Sequence, residues 1–206
     1  MQGNEDVRNR KVIAIGCAVV VLVILLCGIL SNLFWDGAGK RGAPTLTVET
    51  PHRISRSETD TFTLEVTVSS LGDALYPAAS MSIAFDSSRL EFLGVEEGTL
   101  FIKSSSGGQA LPEWSYNTAA CNQSGRINVM YLDMTGGKNA FTGELMDEEH
   151  DVVLRLKFRL RGSAVAGDVC DLIVEDAVFA ASDETKSLAM TTGTLKVKNG
   201  KLVIGD

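Results

Sequence analysis

Residues 151–161 alternate: Val152, Leu154, Leu156, Phe158 and Leu160 fall on even positions, and Arg155, Lys157, Arg159 and Arg161 on odd ones. Side chains of an extended strand point to opposite faces with a period of two, so this spacing makes one face apolar and the other cationic. A helix would scatter the same residues around its circumference. A strand of this kind belongs in a sheet covered on one side only. The pattern recurs in Phe62, Leu64, Val66 and Val68 against Thr63, Glu65 and Thr67, and in Leu46 and Val48 within residues 45–50. It recurs again in Met81, Ile83 and Phe85 against Ser80, Ser82 and Ala84, followed by the turn Asp86-Ser87-Ser88 and a second apolar run through Leu90, Phe92, Leu93 and Val95. Short side chains that hydrogen-bond their own backbone favour turning there.

Residues 112–118, with Trp114 and Tyr116, read as an edge strand. Asn122-Gln123-Ser124-Gly125 then reads as a turn into a strand over residues 126–132. Further strands are predicted at 171–181 and 192–204, the latter broken by the turn signal Asn199-Gly200. No stretch beyond residue 44 sustains a 3.6-residue apolar repeat, so helices there are at most short. About nine strands at this spacing predict an all-β sandwich over residues 45–206.

A different element precedes it. Residues 12–34 are 23 consecutive residues without a charge, rich in Val, Ile and Leu. As a helix they would extend roughly 34 Å, enough to cross a hydrocarbon core of about 30 Å. Arg8, Arg10 and Lys11 stand before the run and Trp35 after it, at the position of an interfacial ring. The competing reading is a cleaved secretory signal, but the run is longer than a signal's apolar core and lacks a small-x-small cleavage pattern. Cys17 and Cys27, inside the run, do not sit in a lipobox. The expectation is an uncleaved signal anchor: residues 1–11 cytoplasmic, 12–34 a transmembrane helix, 35–44 a Gly-rich tether, and the sandwich outside a bacterial cell.

The net charge of the 206 residues is −7. Residues 1–11 carry three basic and two acidic side chains, so the remainder stands at −8. An acidic ectodomain repels nucleic acid and anionic lipid headgroups, which excludes them as partners. Catalysis finds little support either. His52 and His150 lack metal-ligand or nucleophile spacing. The cluster Asp147-Glu148-Glu149-His150-Asp151 lacks the Gly-turned spacing of a calcium loop and reads as a solvated turn. Glu96 and Glu97 would point to opposite faces of a strand, so they cannot flank one glycosidic bond. The expectation is a protein that is not an enzyme, with no cofactor of its own.

Residues 80–98 resemble the cohesin modules of bacterial cellulosome scaffolds, in which an apolar strand ends in Tyr/Phe-Asp, then a short turn, then Leu-Glu-x-x-x-Val-Glu-x-Gly. Residues 127–136, closing in Asp133-Met134-Thr135-Gly136, are similar to the family's acid-x-Ser/Thr-Gly strand end. The 151–161 and 174–180 strands follow in the family's order, and the resemblance covers residues 44–203. It implies a nine-stranded jelly-roll sandwich that binds a dockerin, a small helical module carrying calcium, in cellulosome-type assembly linked to polysaccharide degradation. By the type I pattern the dockerin-binding residues are Ser80, Ser82 and Ala84, then Asn128, Met130, Leu132, Asp133 and Gly136. The chain departs from that pattern at Ala78 and Ser80, where many type I modules carry Asn and Asp.

The residues themselves agree on one point: if Ile127, Val129 and Tyr131 face the core, Met130 and Leu132 face outward, where two adjacent apolar side chains suggest a contact patch. A loop covering them is the other reading. The rival function is direct carbohydrate binding, with Trp114 and Tyr116 as a small stacking platform; an aromatic pair covering the core is the alternative there. Cys121 and Cys170 are the only ectodomain cysteines. A bridge between them would add about 2–4 kcal/mol, and two buried thiols are the other reading. The insertion at residues 137–149 is expected to form a flap over one end.

Overall fold

The computed structural model describes residues 43–55, 61–72, 74–104, 107–182, 190–191 and 193–206. The transmembrane helix expected at 12–34, the N-terminus at 1–11 and most of the tether lie outside them. Among the described residues no helix is long and apolar enough to cross a membrane.

Two sheets face each other across the core. The five-stranded sheet runs β12 (Lys196–Lys198), β1 (Thr45–Glu49), β3 (Thr61–Val68), β9 (Val152–Leu160), β5 (Leu90–Glu97). The other runs β2 (Ile54–Ser55), β13 (Gly200–Gly205), β10 (Val169–Ala180), β4 (Ala78–Ala84), β8 (Arg126–Leu132), with β11 (Met190–Thr191) also paired to β10. A short hairpin of β6 (Ile102–Lys103) and β7 (Gln109–Ala110) stands apart. Pairing is antiparallel except where β12 joins β1 and β2 joins β13. Nine of the strands have three or more residues, which is the all-β sandwich the alternation predicts.

The alternating residues are buried as the period demands. Leu154, Leu156 and Phe158 of β9 are fully enclosed, as are Val66, Ile83, Ile127 and Leu172. Aromatic rings fill the middle in two runs. Phe158 meets Phe62, Phe85 and Phe92 with centroids 5.6–5.8 Å apart, and Phe141 meets Tyr131, Trp114 and Phe179 at 5.1–6.1 Å. Such offset and edge-on pairs add to the area they bury.

Four local expectations change. The edge strand at 112–118 shrinks to one bridge, Ser115 with Met130, and the chain then enters a helix, α1 (Thr118–Ser124), where a turn was predicted. Asn117 caps its start by accepting from Ala120 N, and Gly125 ends it at φ 67°, a left-handed conformation that costs glycine nothing. Asn199 is not a hairpin turn, because β12 and β13 belong to opposite sheets; its side chain accepts from Val174 N at 3.0 Å, beside the bulge between Val174 and Asp176. The middle of the 137–149 insertion enters the core: Phe141 is fully buried and bridges Tyr76 through paired backbone hydrogen bonds of 2.8 and 2.9 Å, whereas residues 147–149 are exposed.

Candidate docking face

The two outer faces differ in chemistry. On the five-stranded sheet the cations of β9 are matched across strands: Arg155 with Glu65 at 2.8 Å, Lys157 with Glu96 at 2.6 Å, Arg159 with Glu91 at 3.4 Å. Each charge already has an opposite neighbour and keeps its water, which suits a solvated surface.

The six-stranded sheet presents registered rows instead. Across β4 and β8, Ala78 pairs with Leu132, Ser80 with Met130, Ser82 with Asn128 and Ala84 with Arg126. The same β4 residues pair on their other side with Ala180, Val178, Asp176 and Ile173 of β10. The structure therefore brings Ser80, Ser82, Ala84, Asn128, Met130 and Leu132 onto one surface. Their inward neighbours Met81, Ile83, Ile127, Val129 and Tyr131 are core residues, and Met130 and Leu132 each stand 55% exposed. Two of the rows carry no charge. In the fourth, Arg126 is paired with Glu175.

Asp133 and Gly136 are placed differently. The chain leaves the sheet at Asp133, whose N–H donates to Pro77 O, and its carboxylate turns back on the loop. Oδ1 accepts from Thr135 N at 2.7 Å and Thr135 Oγ1 at 2.6 Å, and Oδ2 accepts from Gly137 N at 2.7 Å. Partial burial pushes this carboxyl up, but the Thr135 hydroxyl and the backbone amides of Thr135, Gly137 and Asn139 outweigh it, holding it below the ordinary carboxylate range. Asp133 is thus an anchor of its loop. Gly136 is exposed at the tip with φ 75°. Tyr131 closes the loop from below: its hydroxyl donates to Asn139 O at 2.7 Å, and burial together with the Asp133 charge pushes its pKa up to about 12.

The aromatic platform does not form. Trp114 is buried against Tyr131 and Phe141, and Tyr116 packs instead on Phe92 of the opposite sheet. The segment crosses the open side of the sandwich between the β8 and β5 edges, so the inner ring is drawn into the gap. The cysteine bridge does not form either. Cys121 on α1 and Cys170 on β10 are separate buried thiols; α1 packs on β5 and β8, whereas Cys170 sits in register with Leu202 of β13. Burial, the largest influence on it, pushes the Cys170 thiol up to about 11.

Two surface features escaped the sequence reading. Leu111 and Met134 are exposed beside Leu132, at 41% and 83%. Residues 111–115 alternate, with Pro112 and Trp114 buried and Leu111, Glu113 and Ser115 exposed, and that period was the available signal. No group of three or more His, Cys, Asp or Glu among the described residues is placed to hold a metal ion. His150 Nδ1 lies 2.6 Å from Asp147 Oδ1 in a surface turn.

What these elements define is a β-sandwich module with one outer face laddered by ion pairs and the other centred on apolar side chains. The family model of the cohesin domain matches residues 50–197, and the chain belongs to that family. Among solved structures, the OlpA type I cohesin of Clostridium thermocellum, determined with a dockerin, is 18% identical with a TM-score of 0.55, over 79% of this chain and 99% of that one. The OlpC cohesin of the same organism, also determined with a dockerin, is 16% identical with a TM-score of 0.56, over 79% and 94%. The sixth cohesin of scaffoldin B from Acetivibrio cellulolyticus, in complex with a dockerin, is 18% identical with a TM-score of 0.54, over 79% and 99%. At these identities the likeness is one of fold. No curated protein matches the chain.

Proposed function

We propose that this chain is a non-catalytic cohesin, anchored in a bacterial membrane by residues 12–34, that docks a calcium-loaded dockerin on a partner protein through the outer face of its six-stranded sheet. The reading extends to cellulosome-type assembly at the cell surface, where the partner's activity concerns polysaccharide. The observation that carries it is the pair Met130 and Leu132, half exposed and side by side, facing the small Ser80 and Ala78 of β4. Burying the exposed half of each against a partner is worth roughly 1 kcal/mol apiece, and the surrounding Ser80, Ser82 and Asn128 form a rim that excludes water. The opposite sheet offers no comparable site, since docking there would strip water from ion pairs that are already satisfied.

The test uses the full-length chain immobilised by its N-terminus and exposed to secreted and surface extract of the source organism, with calcium or with a chelator. Proteins identified by mass spectrometry as dockerin-bearing should be retained only with calcium. Retention of none, or retention of insoluble polysaccharide instead, would overturn the proposal. On the docked complex, Met130→Asp should weaken affinity at least several-fold more than Ser82→Ala.

A further inference from the structure

The apolar rows continue past β8. Ser115 N donates to Met130 O at 2.7 Å and Met130 N to Ser115 O at 3.0 Å, so the 111–115 segment lies antiparallel to β8 as one more column of the same face. Two residues before Ser115, Glu113 comes opposite Leu132, and both line a hollow of about 550 Å³ together with Leu111, Met130 and Met134. Four large apolar side chains, each between 41% and 83% exposed, converge there. Hydrophobic residues scattered singly over a surface need no partner, but a contiguous group does.

The hollow contains two carboxylates and no Lys or Arg. They are not equivalent. Asp133 spends both oxygens on its own loop. Glu113 is exposed and makes no hydrogen bond or ion pair among the described residues. A docked partner would take water from this carboxylate, and an unpaired charge at the margin of a dry patch is penalised.

We propose that this hollow selects the partner: it accepts two apolar side chains one helical turn apart, flanked by a Lys or Arg that pairs with Glu113. The spacing follows from the strand. Met130 and Leu132 are two residues apart, about 6.8 Å, close to the roughly 6 Å between residues i and i+4 of a helix. The helix axis would therefore run along β8, with the cation on the side of the 111–115 column. The inference rests on the docking reading and adds the chemistry that the dockerin must bring.

Its test pairs the full-length immobilised chain with a panel of purified, calcium-loaded dockerins of known sequence that differ in whether a Lys or Arg flanks their apolar pair. Binders should carry the cation. Glu113→Lys should slow their association about tenfold and remove most of its salt dependence, Glu113→Gln should fall between, and a Lys→Glu change in the dockerin should restore binding to Glu113→Lys. Met130→Asp should act on dissociation instead. If Glu113→Lys leaves association and salt dependence unchanged while Met130→Asp abolishes binding, the face stands and selection by Glu113 is wrong. If Met130→Asp is also silent, the face is wrong. If no dockerin in the panel binds the unaltered chain, this inference falls together with the docking reading.

Discussion

A carboxylate at the end of a strand can face a partner or hold its own loop, and at Asp133 the hydrogen bonds decide for the loop. Three donors from Thr135 and Gly137 converge on it, so Asp133→Ala should cost roughly 1–2 kcal/mol, discounted from the usual value of charge-assisted bonds because the site is half exposed. Urea denaturation checks the size; a loss near zero would show that the loop holds itself. Alternation made Met130 and Leu132 legible in advance, since fixing Ile127, Val129 and Tyr131 in the core leaves their neighbours no other side. The same pattern says nothing about which way an acid hydrogen-bonds, so the loop contacts of Asp133 are not legible in it. For Trp114 the sequence leaves platform and core cover both open, because a two-residue period assigns faces only once one face is known to be core; its packing on Tyr131 and Phe141 decides for the core. Cys121 and Cys170 were undecided because sequence separation carries no distance.

Among the elements, α1 shows what pattern reading misses and why it matters. Seven residues make two turns, too few for an apolar repeat, and Asn122-Gln123-Ser124-Gly125 carries a turn's composition. Yet the helix protects the exposed edge of β5. Asn122 Oδ1 accepts from Phe92 N at 2.8 Å and its Nδ2 donates to Phe92 O at 2.8 Å, doing for that residue what a neighbouring strand would do. Asn122→Ala would leave both groups of Phe92 without these partners at a half-buried edge, and stability should fall by about 1–3 kcal/mol. Hydrogen exchange at the Phe92 amide separates this from general loosening, because its protection should drop more than that of Phe158 on β9. Equal losses at both amides would reject the edge-capping role. The long strands, by contrast, were legible to within two residues, since each carries its own alternation and a buried face tolerates no slip of register.

At the scale of the whole sandwich, one end is tied by an ion-pair group. Arg89, after the β4–β5 turn, lies 2.5 Å from Asp86 and 2.8 Å from Asp168, which precedes β10. It thus joins one chain connection to another far along the sequence. Ser88 Oγ donates to Asp86, the largest influence on that carboxyl, and the Val165 amide is the largest on Asp168; with Arg89 they hold both below the ordinary value of 3.8. A carboxyl whose folded pKa is lowered binds fewer protons folded than unfolded in the interval between the two values. Its stabilisation is therefore complete above the unfolded value and is lost as pH falls below it. Asp133 and Asp147 are shifted the same way, so the effects add. The melting temperature should change little from neutral pH down to about pH 5 and fall steeply below about pH 4. Asp168→Asn removes one contributor and should lower the melting temperature at neutral pH while making the acid decline shallower. A variant that declines as steeply as the parent would show that Asp168 takes no part in the linkage.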